Sequence, residues 1–416
     1  MPNAQTVFCL LLASLMPAAA AAQSHTFAAL WSQLAEFTAS DGASGNMLGY
    51  SIAKSDNTIV MGAPDAKIGS NADQGAAYVY VEGANGWSDM TQTAKLISSD
   101  GGAGDHFGIS VYVCHNVIVV GMGPRATGSK AYVYVEPANG WTDMTETAQL
   151  TASDEVPGDR FASTVGISLN TIVVGDYENS SSDKGAAYVY EKPVSGWKNM
   201  TQTAKLTASD GKTGDLFGFS VSANRGNTVV IGAIQSGNER GGAAYVFLEP
   251  ANGWKTTSQF NAELTASDRA KYQKFGQAVA ANGSTIVVGG KGASGNGTAY
   301  VFVEPEAGWT SSTETAQLLN PLAKTTNCYA CAVGVSGPQI AVGSPKSAST
   351  QGAIYIFNKP SKGWATTTQY GAKLAGSDHS NGALFGTSIG FDTQVAAGAP
   401  GGGSDGAGSG YIFGTN

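Results

Sequence analysis

Aspartates recur in pairs, five residues apart, in segments that precede hydrophobic stretches, and this spacing is the clearest candidate for metal chemistry. The pairs are Asp100 with Asp105, Asp154 with Asp159, and Asp210 with Asp215. Carboxylates and loop carbonyls are the hard oxygen ligands that Ca²⁺ prefers, so calcium is the candidate cofactor. Aspartate ahead of glycine also closes its own turn through an Asx hydrogen bond. Recurrence along the chain favours the turn, because a geometric requirement repeats with the fold whereas a binding site need not.

A second acidic group, Asp176, Glu178 and Asp183, lies in one variable segment. It is a candidate contact for a metal or a basic ligand, although a solvated loop is the favoured interpretation. The four histidines are scattered without metal-ligand spacing, and the chain has no G-x-S-x-G, phosphate-loop or H-E-x-x-H motif. The sequence therefore predicts a protein that is not an enzyme.

The elements that position these residues come from one repeated unit, marked by seven tryptophans about 55 residues apart, at positions 31, 87, 141, 197, 254, 309 and 364. Such a period indicates a propeller or a solenoid. The units run over residues 31–87, 88–141, 142–197, 198–254, 255–309, 310–364 and 365–416, inside one domain spanning 23–416. The tryptophans suit stacking on sugars, but their fixed place in each unit favours packing between units.

One unit resolves into four short strands, A to D, predicted over residues 217–223, 228–233, 242–247 and 261–266. The second is a continuous β-branched run, as expected for a strand covered on both faces, and the fourth alternates as an outer strand does. Gly226-Asn227 between the first two is a hairpin signal. The unit is therefore predicted to be a four-stranded antiparallel meander.

Seven such meanders predict an all-β, seven-bladed β-propeller rather than a solenoid, because the two ends of the chain are complementary. The last unit stops after its third strand, whereas the first is preceded by an extra D-like strand over residues 32–38. The N-terminal strand is thus expected to complete the last blade and close the ring, which leaves only short outer edges unpaired.

The repeated motifs carry a family resemblance. Phe-Gly pairs stand at 107, 217, 275 and 385, and Gly-Ala-Pro stands at 62 and 398, with partial copies elsewhere. Residues 31–416 resemble FG-GAP repeats, the units of the integrin α-chain propeller. The resemblance implies extracellular adhesion, and calcium in D-x-D-x-D-G loops between strands A and B. The equivalent loops here are short, as at Asn224–Asn227, so those calcium sites are not carried over.

The N-terminus predicts secretion. An apolar run over residues 7–16 and an alanine tract ending at Ala22 are typical of a signal peptide spanning 1–22. No later apolar stretch is long enough for a membrane helix, and the net charge of −8 with few basic residues disfavours a nucleic-acid partner. The protein is expected to be secreted and monomeric, without membrane insertion, and glycosylated if eukaryotic at Asn179, Asn199, Asn282 and Asn296.

Cys328 and Cys331 form a C-x-x-C pair inside a predicted strand. Residues three apart in a strand point to opposite faces, with Cα atoms about 10 Å apart, so two half-buried thiols are predicted in preference to a locally bent disulfide.

Three functions remain open. The first is extracellular adhesion or matrix recognition of a protein or glycan ligand, through the variable B–C loops and the D–A loops that share one rim. The second is a lectin-like carbohydrate binder. The third is a polysaccharide hydrolase or lyase whose site lies in the central cavity, because propellers assemble sites from distant blades.

Overall fold

The structure is a computed structural model that describes residues 30–125, 128–178, 184–224, 227–234, 241–292, 294–322, 328–378, 380–403 and 405–415. The predicted signal peptide, Asn179 and Asp183 lie outside these residues.

Seven antiparallel sheets, numbered by blade, contain nearly all of the regular structure. Blade one comprises β2 (Ser51–Ser55), β3 (Thr58–Ala63), β4 (Ala76–Val81) and β6 (Ala94–Leu96); blade two comprises β7 (Val111–Cys114), β8 (Val117–Val120), β9 (Ala131–Val135) and β10 (Ala148–Thr151). Blade three comprises β11 (Phe161–Ser168), β12 (Thr171–Asp176), β13 (Ala186–Glu191) and β15 (Ala204–Leu206); blade four comprises β16 (Phe217–Asn224), β17 (Thr228–Ala233), β18 (Ala243–Leu248) and β19 (Ala262–Thr265).

Blade five comprises β20 (Ala278–Asn282), β21 (Thr285–Gly290), β22 (Thr298–Val303) and β24 (Ala316–Leu319); blade six comprises β25 (Val333–Ser336), β26 (Gln339–Gly343), β27 (Ile354–Asn358) and β28 (Ala372–Leu374), with the one-turn helix α1 (Ser347–Thr350). Blade seven comprises β29 (Ser388–Phe391), β30 (Val395–Ala399), β31 (Ser409–Thr415) and the N-terminal β1 (Trp31–Thr38). The predicted seven-bladed all-β propeller is confirmed.

The ring closes where the sequence predicts. β1 pairs antiparallel with β31, from Trp31 opposite Thr415 to Phe37 opposite Gly410. Blade seven is therefore built from both ends of the described chain. Phe37 is fully buried and packs on Tyr80 and Trp87 of blade one, with ring centroids 5.0 and 5.3 Å apart, so the closing strand also anchors the next blade.

Three sheets have a fifth strand that the four-stranded prediction lacks. β5 (Met90–Thr91), β14 (Met200–Thr201) and β23 (Ser312–Thr313) are two-residue strands that pair parallel with the outer strand of the preceding blade. Single bridges such as Leu96 to Met144 do the same elsewhere. Each C–D segment thus covers an outer edge that would otherwise be open to another chain.

The Phe-Gly and Gly-Ala-Pro motifs are explained by contact between blades. The amide of Gly49 donates to the carbonyl of Gly62 within blade one. A Cβ added at Gly62 would overlap the carbonyl oxygen of Gly108 in blade two. The equivalent glycine approaches the next blade in the same way in all seven blades. Only glycine permits so close a backbone approach, which accounts for its recurrence.

The core lies between adjacent blades rather than within one. Trp197, for example, is 6% exposed in a cluster with Val133 of blade two and Tyr188 of blade three. The tryptophans at 87, 141, 197, 254, 309 and 364 are all buried. They are packing residues, as the fixed position in the repeat indicates. Among the described residues, no helix is long and apolar enough to span a membrane.

Candidate ligand-binding site

The mouth of the propeller is a pocket of about 390 Å³ on its axis, at the end where the A strands begin. The antiparallel order of the blades brings the D–A and B–C loops to this same end, which we call the upper rim. Successive residues of each A strand point alternately to the axis and to the neighbouring blade, because a strand has a period of two. Two residues per blade therefore point to the axis, and the residue between them, which also borders the pocket, points to the neighbouring blade.

The first of these residues, directly after the Phe-Gly position, forms what we call the mouth ring. Its members are Tyr50, Ile109, Ser163, Phe219, Gln277, Cys331 and Thr387. Seven blades thus supply seven different residue types at one position of an otherwise repetitive unit. The packing contacts of the repeat do not constrain the residue type at this position, so this position can determine which ligand binds.

The residue after the mouth ring joins the blades. The hydroxyl of Ser51 donates to the carbonyl of Gly108 in the next blade (2.8 Å), and Ser388 donates to Gly49 across the closure of the ring (2.8 Å). In blade five, where Ala278 has no hydroxyl, the Gln277 amide donates to Ala330 instead (3.2 Å). These hydrogen bonds hold the mouth ring in a fixed frame.

The second residue facing the axis is aliphatic in every blade and forms the floor of the pocket. The floor consists of Ile52, Val111, Val165, Val221, Val279, Val333 and Ile389. Five of these line the mouth pocket and also a smaller chamber of about 190 Å³ below it. These aliphatic residues form the boundary that the two cavities share.

Aromatic rings stand on opposite sides of the mouth. Tyr50 of blade one is 36% exposed. Phe219 of blade four packs on Tyr177, which follows β12, with ring centroids 5.2 Å apart. The Arg160 guanidinium lies over the Tyr177 ring, 5.9 Å from its centroid, and pairs with Glu178 (3.1 Å). Burial raises the pKa of the Tyr177 phenol, so it is a neutral hydroxyl at physiological pH.

The lining of the mouth is uncharged. Among the described residues around it are hydroxyls, an amide, sulfur and apolar groups, but no Asp, Glu, His, Lys or Arg side chain. The only charged side chain around the described part of the lower chamber is Lys54, which pairs with Asp392 (2.8 Å). The arrangement offers hydrogen bonds and apolar contact rather than acid–base chemistry.

The first aspartate of each loop is held by a tyrosine of strand C. Tyr132 donates to Asp100 (2.8 Å), Tyr188 to Asp154 (3.0 Å) and Tyr245 to Asp210 (3.2 Å). Asp41 with Tyr78 and Asp268 with Tyr300 repeat the contact. In five blades the phenol thus pins the entering loop to the sheet, which is the recurring geometric role that the sequence favours for these aspartates.

Lysine further engages two of the candidate aspartates. Lys130 contacts Asp100 (2.6 Å) and Lys205 contacts Asp154 (2.5 Å). Partial burial of each carboxylate opposes ionisation, but the lysine and tyrosine hydrogen bonds outweigh it and lower the pKa of both aspartates. Both are anionic at neutral pH and already lie beside a cation.

The second aspartate of each pair is buried and closes its loop. Asp105 accepts from the amide of Gly102 (2.5 Å), Asp159 from Val156 (3.1 Å) and Asp215 from Lys212 (2.7 Å). Asn46 and Gln273 make the same bond to the amide three residues earlier. One side-chain oxygen meets the requirement, which explains why Asp, Asn and Gln alternate here.

Arginine joins the pair in blade two. Arg125 lies 3.4 Å from Asp100 and 2.5 Å from Asp105, so a guanidinium supplies positive charge between the two carboxylates. No cluster of three or more His, Cys, Asp or Glu side chains in the described ranges is arranged to hold a metal ion. Calcium binding by these aspartates stays a prediction.

The second acidic group is not gathered into one site in its described part. Asp176 ends β12 and is fully buried, whereas Glu178 is half exposed and pairs with Arg160. A carboxylate that sequence reasoning missed is Glu155. Burial first, and then the negative Asp176 and Asp159, raise its pKa to about 7, although the amide of Ser129 donates to it.

The prediction of two free thiols is wrong: Cys328 and Cys331 form a disulfide, with Cα atoms 5.3 Å apart. They lie in the turn ahead of β25 rather than in a strand. The amide of Cys331 donates to the carbonyl of Cys328 (3.2 Å), and the other blades make the same i to i+3 bond, as Tyr50 does to Met47. The turn brings its first and fourth residues together, and only the turn of blade six has cysteine at both of these positions.

The described sequons and histidines, Asn199, Asn282, Asn296, His106 and His115, are not part of the mouth pocket lining, and Asn179, His25 and His379 lie outside the described residues. Asn199 is exposed and accepts from the amide of Gln149 (2.8 Å), and Asn282 is exposed at the end of β20. Asn296 is half-buried. His106 pairs with Asp65 (2.9 Å) and His115 with Asp56 (2.8 Å), contacts between blades that sequence spacing did not indicate.

The fold and site define a closed propeller with one uncharged axial mouth. Its repeats match the FG-GAP repeat over residues 31–80, 90–134, 144–190, 200–247 and 259–302, more than half of the chain. The chain therefore belongs to the FG-GAP repeat family, and its propeller is of the integrin α-chain type. No curated protein matches the chain significantly.

Proposed function

We propose that the protein is secreted and non-enzymatic, and that it binds an extracellular ligand through its upper rim in adhesion or matrix recognition. The observation that carries the proposal is the mouth ring, where seven blades present seven residue types on a frame fixed by hydrogen bonds between blades. Rigid scaffolds that hold a variable surface are typical of recognition. The N-terminal apolar run and the family resemblance support an extracellular setting.

The chemistry of the axis supports binding over hydrolysis. Glycoside hydrolysis commonly uses two carboxyl groups on either side of the scissile bond. The described lining of the mouth has no carboxyl group. A substrate seated there would find hydrogen-bonding partners but no general acid.

The test is attachment of the mature protein to immobilised extracellular matrix while one rim at a time is blocked. In a Cys114→Ser background, Tyr272→Cys places a polyethylene glycol maleimide on the upper rim, and Val194→Cys places it on the opposite rim. Both native side chains are exposed, at 63% and 110%. We expect saturable attachment that is lost only with the Tyr272 adduct.

Equal blocking by both adducts, or no saturable attachment, would refute the assignment of binding to the upper rim. Release of reducing ends from a polysaccharide panel would refute the non-enzymatic assignment. The unmodified cysteine variants serve as controls for the substitutions themselves.

A further inference from the structure

We propose that the mouth pocket is a binding site for a neutral saccharide of one or two sugar rings. The inference rests on the proposed function and names the chemical class of its ligand. It is carried by the juxtaposition of aromatic rings, hydroxyls and an amide around an uncharged cavity on the axis.

The absence of charge around the described mouth selects against ions. A carboxylate, phosphate or ammonium group entering it would lose hydration without meeting an opposite charge, which is costly in a partly enclosed site. The ion pair of Arg160 with Glu178, next to Tyr177, is internally neutralised, and neither residue is part of the pocket lining. The ligand is therefore neutral.

The polar and apolar groups are arranged as a sugar ring requires. A pyranose has an apolar face of C–H groups and an edge of hydroxyls. Tyr50 and Phe219, three blades apart, offer apolar ring surface on opposite sides of the axis. Gln277 and Tyr177 in the lining carry an amide and a hydroxyl that both donate and accept hydrogen bonds, whereas the Ser163 hydroxyl is itself buried. Gln277 keeps its bond to Ala330, but a purely apolar ligand would displace water from the remaining polar atoms without replacing its hydrogen bonds, which costs free energy.

The dimensions of the pocket limit the ligand. Its volume of about 390 Å³ lies at the small end of the roughly 300–1,000 Å³ that is usual for small-molecule sites. The pocket therefore takes the end of a glycan, or a short branch, and leaves the rest of the glycan over the upper rim.

The experiment is a binding screen of the mature protein on an array of neutral and acidic oligosaccharides, with calcium and with a chelator. Neutral oligosaccharides that bind are then measured by calorimetry. We expect at least one neutral ligand whose affinity is unaffected by chelation and falls at least tenfold in Tyr50→Ala and in Phe219→Ala. Tyr272→Ala, an exposed aromatic of the same rim outside the pocket lining, should retain full affinity.

A second type of variant protects the test against misfolding. Ile109→Trp fills the mouth instead of removing a contact, and it should also weaken binding at least tenfold while thermal unfolding stays near the parent value. Binding of acidic glycans alone, loss on chelation, or no neutral ligand on the array would overturn the proposal. If Tyr50→Ala and Phe219→Ala preserve matrix attachment that the Tyr272 adduct blocks, the rim function stands and the saccharide site is refuted.

Discussion

Replacing Phe37 with alanine should open the ring at its closure. Phe37 is fully buried on the only strand that blade seven takes from the N-terminal end of the described chain. Truncation of a buried phenylalanine costs about 3–5 kcal/mol. Its contacts with Tyr80 and Trp87, at 5.0 and 5.3 Å, add about 0.5–1.5 kcal/mol each beyond the buried area. We therefore expect a loss near the upper end, about 5 kcal/mol.

Local opening is the quantity to measure, by amide hydrogen exchange of β31 in the native protein. Since each ~1.4 kcal/mol is a factor of ten, even a loss of ~3 kcal/mol in the stability of β1 pairing should accelerate exchange in β31 more than a hundredfold. The matched control is Leu206→Ala, at the equivalent position of blade three, where Leu206 is also fully buried. There the outer strand is continuous with its own blade.

The control should lower global stability by about 2–5 kcal/mol yet leave exchange in β31 slow relative to the rest of the ring. Unchanged exchange of β31 in Phe37→Ala would refute the reasoning that this side chain secures the closure. Equal acceleration in both variants would show that the ring opens as a whole rather than at one seam.

Three further predictions concern the carboxylates and the disulfide. Because burial raises the pKa of Glu155 to about 7, the free energy of unfolding should fall as pH rises from about 4.5 through 7. The loss should be about 1 kcal/mol after allowance for the partial exposure of the carboxylate. Urea unfolding of Glu155→Gln over this pH range should show a smaller dependence of the unfolding free energy on pH. Tyr245→Phe should lower the free energy of urea unfolding by about 1–2 kcal/mol, whereas Asp210→Asn, which keeps a hydrogen-bond acceptor, should lower it less. If calcium raises the melting temperature and Asp210→Asn abolishes that rise, this aspartate is a cation ligand instead. Cys328→Ser with Cys331→Ser should lower the unfolding free energy by about 2 kcal/mol, the loop-closure entropy of a short ring, and a double variant as stable as its parent would contradict this.

The repeat can be predicted from the sequence because equivalent positions in each blade pack in the same way and carry similar residues. The strands predicted over residues 217–223 and 228–233 correspond to β16 and β17 almost residue for residue. The D-like strand at 32–38 is β1, and its pairing with β31 follows from the missing fourth strand at the other end. The two-residue strands that pair parallel with the preceding blade, such as β5, cannot be predicted from the sequence because they are too short to show a periodicity.

Side-chain partners were harder to predict than strands. The loop aspartates were visible as a pattern, but their bonds to Tyr132, Tyr188 and Tyr245 join residues more than thirty positions apart. The sequence predicts a strand at Cys328–Cys331, but the left-handed backbone of Cys328 and Ala330 makes this segment a tight turn, and the turn brings the two sulfur atoms together. Local conformation decided that outcome.

The sequence by itself determined the period, the four-strand unit, the number of blades and the closure, because these depend on short-range hydrophobic patterns repeated seven times. Only the tertiary structure decided which residues share the axis. The mouth ring takes one residue from each of seven blades, and the local sequence after each Phe-Gly position does not show that these seven side chains surround one axis. They become a pocket because closure of the ring brings positions about 55 residues apart along the chain around one cavity.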